Sequence, residues 1–67
     1  MSEYKNECIA WKGFCQLILD REWPGCPELK IKPGVFCRVL IDGWFRDYLS
    51  AESREAAIEK FNNTEWR

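Results

Sequence analysis

Val35 to Leu49, VFCRVLIDGWFRDYL, is the stretch whose reading decides the fold. Two runs of β-favouring residues flank Asp42-Gly43, and a type I′ turn needs φ > 0 at both central positions. Asp-Gly meets that need cheaply, so the stretch predicts a tight β-hairpin. A two-residue loop pairs Ile41 with Trp44, Leu40 with Phe45 and Arg38 with Asp47. One face then carries Phe36, Leu40, Phe45 and Leu49. The other carries Cys37, Val39, Ile41, Trp44 and Tyr48, with Arg46. Antiparallel sheets commonly keep one face wet and show it as polar alternation. That alternation is missing, so both faces call for cover.

Downstream, Ser50 suits the N-cap of a helix, with Glu52 and Glu55 near its positive end. Ala57, Ile58 and Phe61 give that helix a narrow apolar stripe, and Asn62-Asn63 is a plausible stop. So small a stripe covers only part of one sheet face. Trp66 lies beyond it, to fold back as a plug or to meet a partner.

Upstream, Pro24 to Gly34 holds all three prolines and connects two halves. Within it, Glu28-Leu29-Lys30-Ile31-Lys32 alternates polar and apolar residues, the pattern of a short edge strand. Lys32-Pro33-Gly34-Val35 suits a type II turn.

Tyr4 to about Arg21 is read as a helix. Tyr4, Cys8, Trp11, Cys15 and Ile18 recur at helical spacing, while Lys5, Lys12, Gln16 and Asp20 gather opposite. Two features compete. Gly13 costs about 1 kcal/mol inside a helix, and Phe14–Asp20 (FCQLILD) echoes Phe36–Asp42 (FCRVLID). If that echo is a duplication, the first copy is a strand with a turn at Lys12-Gly13. The polar arc favours the helix. The expectation is therefore one α+β domain over residues 1–67. Its order is α-β-β-(β)-α: a small antiparallel sheet, a hairpin with a candidate third strand, between an N-terminal and a C-terminal helix.

Composition narrows function mostly by exclusion. Net charge is −1 with acids and bases interleaved, so no basic stripe awaits a phosphate backbone. No apolar run approaches the roughly 20 residues that span a bilayer, and MSEYKNE lacks the pattern of a signal peptide. The expected setting is cytoplasmic, where free thiols are the default. Histidine is absent, which removes the usual proton carrier near neutral pH, and no catalytic residues are assigned. The four cysteines are spaced C-x6-C-x10-C-x10-C, without a CxxC pair. On a helix, Cys8 and Cys15 would stand about 10 Å apart, too far to share one tetrahedral ion. Neither metal nor cofactor is expected, unless the N-terminal segment is instead a hairpin, which reopens zinc.

GVFCRVLIDGWFRDYLSAESREAAIEKF resembles the sheet-plus-helix arm-binding domains of phage-type integrases. That resemblance implies a sheet face entering the DNA major groove, an excisionase-like or integrase-arm-like role. The strands carry only Arg38 and Arg46, so nucleic acid ranks second on charge. Four tryptophans in 67 residues serve either a small core or a binding surface. A sheet apolar on both faces with too little helix to cover it marks an interface. The expectation is a non-enzymatic protein-binding module, an inhibitor or adaptor occupying a host protein's surface, of phage or mobile-element type. Its anchors are Trp44, Phe45, Arg46, Tyr48 and Trp66, and a homodimer burying the second face is a parallel outcome.

Overall fold

The computed structural model describes residues 5–66. They form β1 (Glu7–Lys12), β2 (Cys15–Trp23), β3 (Gly34–Ile41), β4 (Trp44–Ala51) and a single α-helix, α1 (Arg54–Asn63). The strands make one antiparallel sheet in the order β1-β2-β3-β4, and α1 lies across one side of it.

The expected N-terminal helix does not exist among the described residues. Residues 7–23 are the β1–β2 hairpin, so the order is β-β-β-β-α and the expected α-β-β-(β)-α is wrong. Gly13 explains why. It is the first central residue of a two-residue turn, at φ 63°, followed by Phe14 at negative φ. Those signs are those of a type II′ turn, whose twist suits paired strands. The seven-residue echo is the second cause. Its two copies become adjacent antiparallel strands, with Leu17 opposite Val39 and Leu19 opposite Cys37.

The Asp42-Gly43 turn forms as expected, with φ 54° and 82°, and Ile41–Trp44 and Leu40–Phe45 pair across it. Beyond them the expected register fails. Val39 faces Asp47, so Arg46 is an extra residue in β4, and Arg38 faces Tyr48 rather than Asp47. A bulge of one residue exchanges the faces of everything after it. Leu49 turns to the core and Tyr48 to the opposite side.

The third expected strand also fails. Pro27–Leu29 is a short 3₁₀ turn, and only a single bridge, Cys26 to Ile31, touches residues 28–32. Gly34 does not take the positive φ of a type II turn; it begins β3.

The core is one layer thick. Leu17, Leu19, Val35, Cys37, Val39 and Leu49 meet Ala57 and Phe61 of α1, all of them buried. Ser53, not Ser50, caps the helix: its Oγ accepts the Ala56 N–H at 3.1 Å. Arg54 in the first turn ties the helix to the sheet through Glu22 at 2.9 Å and Glu7 at 3.5 Å. The hydrogen bond from Arg54 holds the Glu22 carboxyl below the usual carboxylate range. Lys12 anchors the other end, donating to the Asn62 carbonyl at 3.0 Å. Trp66 folds back, with its indole N–H on the Phe61 carbonyl at 2.9 Å and its ring stacked on Phe61. Among the described residues, no helix is long and apolar enough to cross a membrane.

Candidate functional site

Helix α1 covers one side of the sheet, and among the described residues no element packs on the other. Register shows what that open side carries. One cross-strand row runs Trp11, Gln16, Leu40, Phe45; the next runs Cys8, Ile18, Arg38, Tyr48; Arg21, Phe36 and Ser50 follow on β2, β3 and β4. Trp11 is 73% exposed, Tyr48 58% and Phe45 54%, far above what large rings retain in a core. Tyr48 is the hub of the aromatic part. It stacks on Phe36 with centroids 5.0 Å apart and meets Phe45 at 4.9 Å in a tilted arrangement, both within the favourable range for ring pairs.

In the middle of this side sits a buried charge. Asp20, only 3% exposed, lies at the bulge of β2, and both its carboxylate oxygens accept from Arg38 Nε, at 2.9 and 2.8 Å. Arg38 Nη2 donates in turn to Asn6 Oδ1 at 2.7 Å. Burying a carboxylate without a partner is costly, so the pair keeps the centre of an apolar face neutral. Asn6, Asp20, Phe36, Arg38 and Tyr48 line a cleft of about 610 Å³ there.

Both sheet edges are guarded. On β4 the Arg46 bulge breaks the ladder, and Asp47 Oδ1 accepts the Tyr48 N–H at 2.8 Å. On β1 a second bulge lies between Cys8 and Ala10, and the Cys8 thiol points to the Ala10 carbonyl at 3.5 Å. Such features discourage an added strand. The accessible chemistry is therefore the face, not the edge.

Of the five anchors expected from sequence, Phe45 and Tyr48 lie on the open face. Arg46 is the exposed bulge residue between them and the core register, and Trp44, 76% exposed, sits at the turn end opposite Ile41. The structure does not bring Trp66 to them; it is half-buried against the core. Sequence reasoning missed Trp11 and Phe14 because both were assigned to a helix. Phe14 is 79% exposed in the β1–β2 turn, and its carbonyl accepts the Asp42 N–H at 3.0 Å, so both turns share one end of the sheet. The echo of FCQLILD in FCRVLID was the signal that could have found them.

The hairpin reopens the question of a shared metal among the cysteines. Cys8 is on the open side, Cys15 and Cys37 face the helix side and Cys26 is in the connector. Among the described residues, no group of three or more Cys, Asp or Glu is placed to hold an ion. Burial pushes the Cys37 thiol up to about 11, while Cys8 is exposed. A thiol reagent at neutral pH is therefore expected to label Cys8 promptly and Cys37 only on unfolding, read by mass spectrometry of the labelled peptides. The same shift has a defined sign for stability. The buried neutral thiol supports the fold fully below the ordinary value of 9.0, and that support is lost as pH rises toward 11. Prompt labelling of Cys37 in the native protein would contradict its place in the core.

Comparison with protein-family profiles, curated proteins and solved structures finds no match for this chain.

Proposed function

We propose that this chain is a non-enzymatic protein-binding module that works by occupying a surface of another protein. It would act as an inhibitor or adaptor of a host complex, in the manner of small phage or mobile-element proteins, in a cytoplasmic setting. One observation carries the reading: a sheet face with Trp11, Phe45 and Tyr48 exposed around a neutralised centre, bounded by edges that refuse a further strand. Exposed contiguous apolar surface of this kind is uncommon on a monomer without a use. Phe14 and Trp44 are also exposed at the turn end of the sheet, Trp44 in register with Ile41 and Cys15 on the helix side, and the bulge residue Arg46 is exposed next to Phe45. Free cysteines fit the cytoplasmic setting.

The DNA-binding alternative draws less support. Arg38, one of two strand cations on the hairpin, is engaged by Asp20 and Asn6, and the chain carries a net charge of −1.

The test compares capture by the tagged wild type with that by Phe45→Ser and Tyr48→Ala, in lysate of a host cell. Each substitution is expected to weaken retention of a specific protein about 30-fold or more, the size of a hot-spot truncation. Thermal melts should barely move, because both rings are largely exposed in the chain alone. Identical capture by all three proteins would overturn the reading, as would retention on heparin that collapses with salt.

A further inference from the structure

We infer that the open sheet face pairs with the same face of a second copy of this chain, about a twofold axis parallel to the strands and between β2 and β3. This rests on the reading above of the aromatic patch as a protein-binding surface, and it names the occupant of the sheet part of that patch.

The argument is one of self-complementarity. A twofold interface requires that if residue i meets j, then j meets i. An axis between β2 and β3 lays β1 of each copy over β4 of the other. In the row Trp11, Gln16, Leu40, Phe45 the large rings sit on the two outer strands and the smaller groups on the inner ones. Trp11 then meets the second copy's Phe45, and the converse contact forms at the other edge. In the next row Cys8 meets Tyr48, and Ile18 meets the alkyl stem of Arg38. No charge meets a like charge: Arg38 lies over Ile18 and Arg21 over Phe36 of the second copy, and Asp20 balances Arg38 within each chain.

Area and layer geometry agree. A face of four strands of 6, 9, 8 and 8 residues, at about 3.3 Å per residue and 4.8 Å per strand, spans about 500 Å² in projection. Its rings raise the accessible area above that, toward the ~800 Å² per partner of a standard interface. Sheets stacked face to face lie about 10 Å apart, and the sandwich would be closed outside by the two helices. The guarded edges disfavour the other common route to a sheet dimer, edge-to-edge pairing. The axis also places both pairs of turns at one end. There Phe14 and Trp44 of the two copies stay outside the sandwich, and a foreign protein that binds through Phe45 and Tyr48 has to displace the second copy.

Light scattering on a sizing column and sedimentation of the full chain at tens of micromolar give the test. The wild type is expected at twice its 8.0 kDa monomer mass. Trp11→Ser and Phe45→Ser are expected to raise the dimer dissociation constant at least thirtyfold with unchanged circular dichroism. Gln16→Glu removes no core packing from the monomer, since Gln16 is exposed, and it should also dissociate the pair more than tenfold. Trp44→Ser, outside the face, should leave it dimeric.

A wild type that sediments at 8.0 kDa overturns the inference. If that monomer still captures a foreign protein through Phe45 and Tyr48, the twin is wrong and the proposed function stands. If it captures none and binds duplex DNA with steep salt dependence, both fall. A dimer that survives all three face substitutions, or that Trp44→Ser dissolves equally well, also overturns it.

Discussion

Phe61→Ala is expected to cost the domain more than half of its stability. Phe61 is fully buried, and it and Ala57 are the two residues of α1 that are buried outright. Truncating a buried phenylalanine costs about 3–5 kcal/mol, part lost transfer energy and part residual cavity. The total stability of a 67-residue domain is about 3–10 kcal/mol at 0.05–0.15 kcal/mol per residue. At the middle of both ranges, about 4 of about 6.5 kcal/mol, the loss consumes more than half of what holds the fold. It also removes the ring on which Trp66 stacks at 6.1 Å, freeing the tail that closes the open end of the core. Ile58, half-buried beside it, supplies the comparison. Ile58→Ala should cost clearly less, because water already reaches part of that side chain. Urea titration followed by circular dichroism gives both numbers. A Phe61→Ala loss below about 1 kcal/mol would mean that the sheet holds together without its helix.

The same residue shows which parts of the fold were legible in the chain. Ala57 and Phe61 stand one helical turn apart after a capping serine, and that short-range pattern was read correctly apart from which serine caps. Asp42-Gly43 was legible for a similar reason: its φ requirement is local and few residue pairs meet it. The first hairpin was not legible by periodicity. Leu17, Ile18 and Leu19 are consecutive and all buried, since a central strand with a helix on one side and a salt-bridged face on the other shows no clean alternation. An uninterrupted apolar run fits helix and strand equally. With alternation hidden, the chance alignment of Tyr4, Cys8, Trp11 and Cys15 at helical spacing prevailed over the glycine and the echo.

The candidate surface was half legible for a different reason. Nothing in FRDYL announces the bulge at Arg46, because a bulge depends on how two strands meet and carries little composition of its own. Without it, Tyr48 and Leu49 are assigned to each other's faces, and the sheet reads as apolar on both sides. With it, Leu49 joins the core and Tyr48 gathers Phe36 and Phe45 into one cluster on the uncovered side. Asp47, expected to pair with Arg38, instead accepts the Tyr48 N–H on the β4 edge.

Arg38→Met is expected to destabilise the domain more than Asp20→Val, and the two together to cost less than Arg38→Met alone. The asymmetry comes from burial. The Asp20 side chain is 4% exposed and the Arg38 side chain 34%. Losing the arginine strands a carboxylate that water barely reaches, whereas losing the aspartate leaves a guanidinium that solvent and Asn6 Oδ1 still serve. Breaking a fully buried pair costs about 3–5 kcal/mol. Because Arg38 is a third exposed, screening lowers that, and about 2–3 kcal/mol is expected for Arg38→Met. Asp20→Val should cost about 1 kcal/mol, the scale of one net hydrogen bond. In the double variant no charge is left unpaired and both replacements are apolar, so stability should recover toward that of Asp20→Val. A double-mutant cycle by urea denaturation reads the coupling directly. Strictly additive losses would show that the pair is not what makes an acidic group tolerable beneath this face. The cycle also separates folding from surface chemistry. The double variant keeps the centre of the face neutral, whereas Arg38→Met alone places an uncompensated negative charge there. Any association that depends on an uncharged face should therefore survive in the first and fail in the second, even under conditions where both are folded.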